Sequence, residues 1–245
     1  LKQFDITVFD NIRPNPRFED MVEASKLFNE NKCDFIIGAG GGSPIDSAKM
    51  IRLMTTNDID TCLTEPMKNN DIKSLYIPTT AGTGAEATKS SVFYINEKDK
   101  MSIANLDFLP DYVILDSSLL NTLPLYQRKV TSLDALCHSI ESYWSVKATD
   151  ESREYAKNGI LGFFENKDGY INNTPDGNEG MLWASYYGGK AINITGTTAA
   201  HAMCYNITMN CSVSHGHSVA CDLSVIWEYM MKHLDKTNGG LTGEE

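Results

Sequence analysis

Asp134 and His138 stand four residues apart in a stretch, residues 129–145, whose apolar groups recur with helical spacing. On a helix that separation puts both side chains on one face, where they can point at one ion. His201 and His215 follow, fourteen residues apart, the second inside Ser214-His-Gly-His-Ser218, where the glycine marks a turn. One carboxylate and three imidazoles suit a first-row divalent cation, Fe²⁺ or Zn²⁺. A lone histidine is more often a hydrogen-bonded structural residue. Here four of the five histidines fall in these two segments, and only His233 lies elsewhere, at an expected surface or helix end.

Two glycine loops carry a second kind of chemistry. Gly40-Gly41-Gly42-Ser43-Pro44-Ile45-Asp46 sits between a β-rich run and a helical one. Glycines let a backbone approach a pyrophosphate, and the free N–H groups and dipole of a helix start attract its charge. Thr79-Thr80-Ala81-Gly82-Thr83-Gly84 leaves the next β-rich run, where ligands of open α/β sheets collect, and offers hydroxyls and amides. Either loop alone is compatible with a bland turn; two on successive strands point to a dinucleotide.

The elements that must position these groups are legible in outline. A strand is expected at Ile6 to Phe9, an amphipathic helix at Phe18 to Asn31, a strand at Cys33 to Ile37 and a helix at Pro44 to Met54. Further strands are expected at Ser74 to Pro78 and Tyr112 to Asp116. Alternation of this kind implies a parallel, doubly wound sheet. Beyond Leu123-Pro124 the pattern turns to long helices at Lys129 to Ser145, Ser152 to Phe164 and Gly180 to Ile194. The expected organisation is an α/β Rossmann-like dinucleotide-binding domain over residues 1–122 and an all-helical metal-binding domain over residues 123–245.

Composition narrows the partners. The 245 residues are 42% hydrophobic and 22% charged, ordinary globular material, with a formal net charge of −11. That charge argues against nucleic acid or an anionic membrane surface as partner and favours a small molecule. The six cysteines form no C-x-x-C pair and are expected to be reduced and mostly buried, in a cytoplasmic protein. There is no leader-like opening and no apolar run near the roughly 18 residues of a membrane span. The chain opens on Leu1 and stops at Glu245 after a Met-rich helical stretch, so both ends are expected to be cuts.

The motifs and their order resemble the iron-containing alcohol dehydrogenase family through nearly the whole chain. Gly40 to Lys49 is similar to the family's diphosphate loop, Pro78 to Glu86 to its second cofactor loop, and Leu109 to Asp116 with Leu123-Pro124 to the passage into its helical domain. Asp134 to Glu141 resembles the segment of the first metal-ligand pair, His201-Ala-Met the third ligand and His215-Gly the fourth. The resemblance implies a metal held by Asp134, His138, His201 and His215. It also implies NAD or NADP contacts by Gly40, Gly41, Gly42, Ser43, Asp46, Thr79, Thr80, Thr83 and Lys100, and a homodimer. Where the family often has a second histidine four residues after the third ligand, this sequence has Tyr205. Its usual proline before the fourth ligand is Ser214, and His217 is additional. Tyr205 and His217 are similar to members associated with phosphonoacetaldehyde reduction, which implies that Tyr205 orients substrate or cofactor, that His217 reaches the substrate and that Lys89 pairs with a phosphonate; a short turn is normally exposed, which favours solvent for His217, and a solvated surface lysine is an equal reading of Lys89.

The expectation is therefore a metal-dependent hydride transfer between NAD(P) and a small alcohol or aldehyde. The alternatives are a metal- and NAD-dependent cyclising lyase resembling dehydroquinate synthase and a non-catalytic cofactor-binding fragment.

Overall fold

The computed structural model describes residues 3–65, 68–96, 99–211 and 213–236. Chain contacts divide it into two compact units, residues 1–78 with 89–114, and residues 79–88 with 115–245. The loop at 79–88, read from sequence as part of the first domain, thus groups with the helical unit.

The first unit runs α1 (Phe18–Glu30), β1 (Phe35–Gly40), α2 (Gly42–Met54), β2 (Lys73–Pro78), β3 (Ser90–Ile95), β4 (Asp99–Ala104) and β5 (Tyr112–Val113). Strands β1, β2 and β5 form a parallel sheet in that order, with Phe35 opposite Lys73 and Gly40 opposite Pro78. A parallel pair needs a crossover between its strands, and α2 begins that connection. From Ser47 to Met54 every residue of α2 is buried, two of them charged. Lys49 donates to Asp46 Oδ1 at 3.1 Å and to the Ser90 carbonyl at 2.6 Å. Arg52 donates to Ser74 Oγ at 3.3 Å and to the Asp107 carbonyl at 2.7 Å. Buried cations are tolerated where such acceptors meet them.

Three local expectations change. Residues 5–13 carry no regular structure, and Ile6 and Val8 are exposed; a strand needs a ladder partner, and none of the described strands supplies one. Tyr112 to Asp116 pairs with β2 over only two residues before Asp116 leaves to cap the turn at Ser117–Leu120. The antiparallel hairpin of β3 and β4, from Ser90 opposite Ala104 to Ile95 opposite Asp99, is an addition to the sequence-based outline.

The second unit is helical: α3 (Leu125–Trp144), α4 (Asp150–Ile171), α5 (Pro175–Thr195), α6 (Ala199–Cys211) and α7 (His215–Lys232). Local chemistry sets the helix starts. Thr149 and Ser152 form a capping box on α4, and Thr174 caps α5, with Pro175 in its first turn. Buried Arg128 fixes the beginning of α3. It donates to the Leu120, Leu123 and Tyr170 carbonyls and to the amide oxygens of Asn173 and Asn178. One apolar cluster gathers Leu120, Phe163, Tyr170, Met181 and Leu182; another gathers Cys137, Trp144, Ala200, Cys204, Val219 and Leu223. Full burial of one such large side chain contributes about 1.5–3 kcal/mol, so the clusters hold the site-bearing helices α3, α6 and α7 in place. No described helix is long and apolar enough to cross a membrane.

Candidate metal centre and nucleotide loops

The helical unit brings Asp134 and His138 on α3 together with His201 on α6, all three buried, with one potential ligand atom of each within 4.8 Å of the others. His138 and His201 stack with ring centroids 4.5 Å apart. His215, at the start of α7, stands beside them. Its Nε2 lies 3.7 Å from Asp134 Oδ1, its ring meets that of His201 edge-on at 5.4 Å, and its side chain is 40% exposed. The sequence-predicted quartet is thus a tight trio with the fourth ring at its open side.

Each imidazole is oriented through Nδ1. That of His138 lies 3.3 Å from the Gly82 carbonyl, that of His201 meets Glu141 Oε2, and that of His215 lies 3.5 Å from Cys204 Sγ. Two glycines allow these approaches. Gly84 has φ +57°, and a Cβ there would stand 2.5 Å from Gly189 Cα, so the loop at 79–88 rests directly on α5. A Cβ on Gly216 would meet the Val130 carbonyl at 2.1 Å; its lack of one lets the first turn of α7 touch α3 and brings His215 to Asp134.

Asp134 Oδ1 and His201 Nε2 are buried without a hydrogen-bond partner and lie 3.5 Å apart. Two such polar atoms facing each other are costly unless a proton or a cation lies between them. Their donor set, with His138, fits a divalent cation of the Fe²⁺ or Zn²⁺ class. Burial opposes ionisation of Asp134, but the surrounding His138, His215 and His201 hold its carboxyl well below the usual range. Burial pushes His138 down to about 4, leaving it neutral, the form that ligates. Burial also opposes a charge on His201, yet the contacts with Asp134 and Glu141 outweigh it and hold its pKa up at about 9, so that without a metal the ring carries a second proton, which a cation bound at Nε2 would displace.

In the first unit, Gly40 ends β1 with φ +149°, and a Cβ there would run into Pro44 at 2.5 Å. Gly41 caps α2 without a side-chain hydrogen bond, and the helix's first turn holds no acidic residue. The amides around Gly42 and Ser43 therefore form an uncapped helix start, which fits a phosphate. Asp46, expected to face a nucleotide, has its carboxylate turned inward, accepting from Lys49 and, at 3.0 Å, from the Val92 amide. Burial raises its pKa, with the charges of Lys49 and Lys100 working the other way. Lys100 lies on β4 opposite Tyr94. In the loop of the helical unit Thr79, Thr80 and Thr83 are half-buried, and Thr83 Oγ1 accepts from the Ala85 amide at 3.3 Å.

The three residues given substrate roles each have their own local surroundings. Tyr205 is 41% exposed, one turn beyond His201 on α6. His217 is exposed, its Nδ1 3.4 Å from the hydroxyl of Tyr126, which also lies 3.0 Å from Ser214 Oγ. Lys89 is half-buried ahead of β3, its carbonyl accepting from the Asn105 amide. Of the six free cysteines, Cys62, Cys137 and Cys204 are buried, Cys33 is intermediate, and Cys211 and Cys221 are exposed. "Mostly buried" is therefore true of half of them. The sequence reading assigned no role to Glu141, whose signal was present in its spacing of seven from Asp134, and it read Gly82 only as part of the second nucleotide loop and Cys204 only as a core thiol.

A model of the iron-containing alcohol dehydrogenase family matches residues 1–117, and one of the C-terminal part of the Fe-containing alcohol dehydrogenase family matches residues 129–241. The chain belongs to the iron-containing alcohol dehydrogenase family. The probable alcohol dehydrogenase EutG of Escherichia coli is 31% identical over 87% of this chain and 56% of the relative. The phosphonoacetaldehyde reductase of Streptomyces viridochromogenes is 27% identical over 94% of this chain and 61% of the relative. Among solved structures, a sulfoacetaldehyde reductase from Bifidobacterium kashiwanohense in complex with NAD⁺ matches with a TM-score of 0.88 and 26% identity, over 92% of this chain and 62% of that one. The chain spans less than two thirds of the length of each of these relatives.

Proposed function

We propose that this protein transfers a hydride between NAD or NADP and a small alcohol or aldehyde at a centre built on Asp134, His138 and His201, with His215 as fourth ligand. The observation that carries the reading is the pair of buried atoms Asp134 Oδ1 and His201 Nε2, 3.5 Å apart and without a hydrogen-bond partner, beside His138 and His215 in a chain of this family. When bound, a divalent ion supplies Lewis acidity toward a substrate oxygen, and a nicotinamide supplies or accepts the hydride.

The chain's own residues do the rest. Asp134 supplies the negative charge that offsets a cation, and the neutral ring of His138 adds a lone pair without adding charge. The partial exposure of His215 leaves its side of the cluster reachable from solvent. The helix start at Gly41 to Ser43 is the proposed seat of a cofactor phosphate. Family membership supports a dehydrogenase over the cyclising lyase. Among aldehydes, phosphonoacetaldehyde is the charged candidate that the resemblance at Tyr205 and His217 singles out.

The test is metal analysis of the purified protein combined with reduction assays on short aldehydes, phosphonoacetaldehyde included, using NADH and NADPH. About one Fe²⁺ or Zn²⁺ per chain and metal-dependent nicotinamide turnover are expected, on the precedent of open catalytic metal sites. Turnover unaffected by removing the metal would defeat the reading. Preference for neutral aldehydes, with Lys89→Ala changing KM for charged and neutral substrates alike, would remove only the phosphonate.

A further inference from the structure

Glu141 follows Asp134 and His138 on the same face of α3 and is fully buried. Its two oxygens are divided between two tasks. Oε2 takes Nδ1 of His201; Oε1 takes the Thr198 amide at 3.0 Å, the Thr198 hydroxyl at 2.6 Å and the Ala200 amide at 3.0 Å. Helix α6 begins at Ala199, so Oε1 satisfies amides that a helix start leaves unpaired. Burial works against the carboxylate's charge, but four donors converge on it, and an ionised carboxylate is a pure acceptor that can answer them all. Because Glu141 can only accept, Nδ1 of His201 must be the donor, which leaves Nε2, the atom facing Asp134, to ligate. His138 is oriented differently: its Nδ1 meets a neutral backbone carbonyl, that of Gly82.

We propose that Glu141 is the positioning residue of the metal centre. Through Oε2 it locks the tautomer and the plane of the His201 ring, and through Oε1 it fixes the helix turn on which that ring rides. The proposal rests on the metal reading above and adds a residue outside the ligand set. Glutamine has the same shape but cannot serve: whichever way its amide turns, an NH₂ confronts either the ring N–H or the α6 amides.

Co²⁺, titrated into the purified metal-free protein and followed by its visible d–d absorption, is the probe. Glu141→Gln should lower Co²⁺ affinity 10- to 100-fold, the loss typical of partners that orient a ligating histidine, and should alter the band shape. Thr198→Val removes one donor on Oε1, and with it the acceptor that Trp144 Nε1 meets at 3.2 Å, but leaves the bond to the ring, so it should keep the wild-type spectrum, with affinity within about threefold. The proposal fails if Glu141→Gln binds Co²⁺ like the wild type, or if Thr198→Val weakens binding equally, which would reduce Glu141 to a helix cap. Should Glu141→Gln not fold, ¹⁵N NMR of the Zn²⁺-loaded wild type decides: His201 must be protonated at Nδ1 and metal-bound at Nε2, and the reverse tautomer overturns the idea. A wild type that takes up no metal overturns the metal reading as well, whereas a normal wild type with an indifferent Glu141→Gln overturns this inference alone.

Discussion

In the loop that opens α2, the groups offered to a ligand are backbone amides; in the cluster on α3, α6 and α7 they are side chains. The loop is contiguous, Gly40 to Ser43, and its geometry follows from a positive φ and a helix start. The cluster draws on residues 134, 138, 201 and 215, and each of its rings is held by a different partner: a carbonyl, a carboxylate and a thiol. A backbone site tolerates changes around it as long as the chain keeps its path. A side-chain site depends on the register of three helices and on the groups behind its ligands.

The largest effect should come from removing a ligand. His201→Ala is expected to lower metal affinity by more than about 100-fold, beyond the range for losing an orienting partner, while nucleotide binding persists. Unchanged metal stoichiometry by elemental analysis would show that the cluster is only structural. Next is the helix contact: in Gly216→Ala the new methyl meets the Val130 carbonyl, so a destabilisation of about 1–3 kcal/mol from overpacking is expected. Weaker metal binding should accompany it as His215 is pushed away from Asp134. A thermal melt and a Co²⁺ titration check this, and a wild-type Tm would mean that α7 can shift at no cost. The mildest change tests the backbone site. Gly41 has φ −75° and ψ −161°, extended values open to any residue, so Gly41→Val should fold and keep its metal. Its nicotinamide dinucleotide affinity should fall about tenfold, roughly 1.4 kcal/mol, as the side chain crowds the phosphate. Equal affinity by calorimetric titration would make the loop a turn and nothing more.

The asymmetry between the sites also explains what could be read in advance. The bodies of α1 to α5 followed from apolar periodicity, though α3 and α5 begin four and five residues earlier and α4 ends seven residues later than that spacing showed, and the paired carboxylate and imidazole at 134 and 138 followed from helix geometry alone. The hairpin of β3 and β4 was missed because β3, Ser90 to Ile95, lacks a clean alternation; Lys49 and Asp46 of α2 bond its first residues, contacts that no local pattern announces. The expected strand at Ile6 to Phe9 has suitable residues but no partner, and strand propensity without a ladder decides nothing.

By itself the sequence determined which atoms were available: four potential metal ligands, two glycine loops after strands, one of them at a helix start, and much of the order of strands and helices. Those are local properties, fixed by residue type and by a spacing of three or four residues. Only the tertiary structure decided how they are used. It turned Asp46 inward to Lys49, made Glu141 the partner of His201, and set Cys204 behind His215. It also brought three buried candidate ligands close together, with the fourth at the rim. Such choices depend on which donor meets which acceptor when distant helices pack, and contacts across sixty residues of chain, as between Glu141 and His201, leave no periodic trace in the sequence.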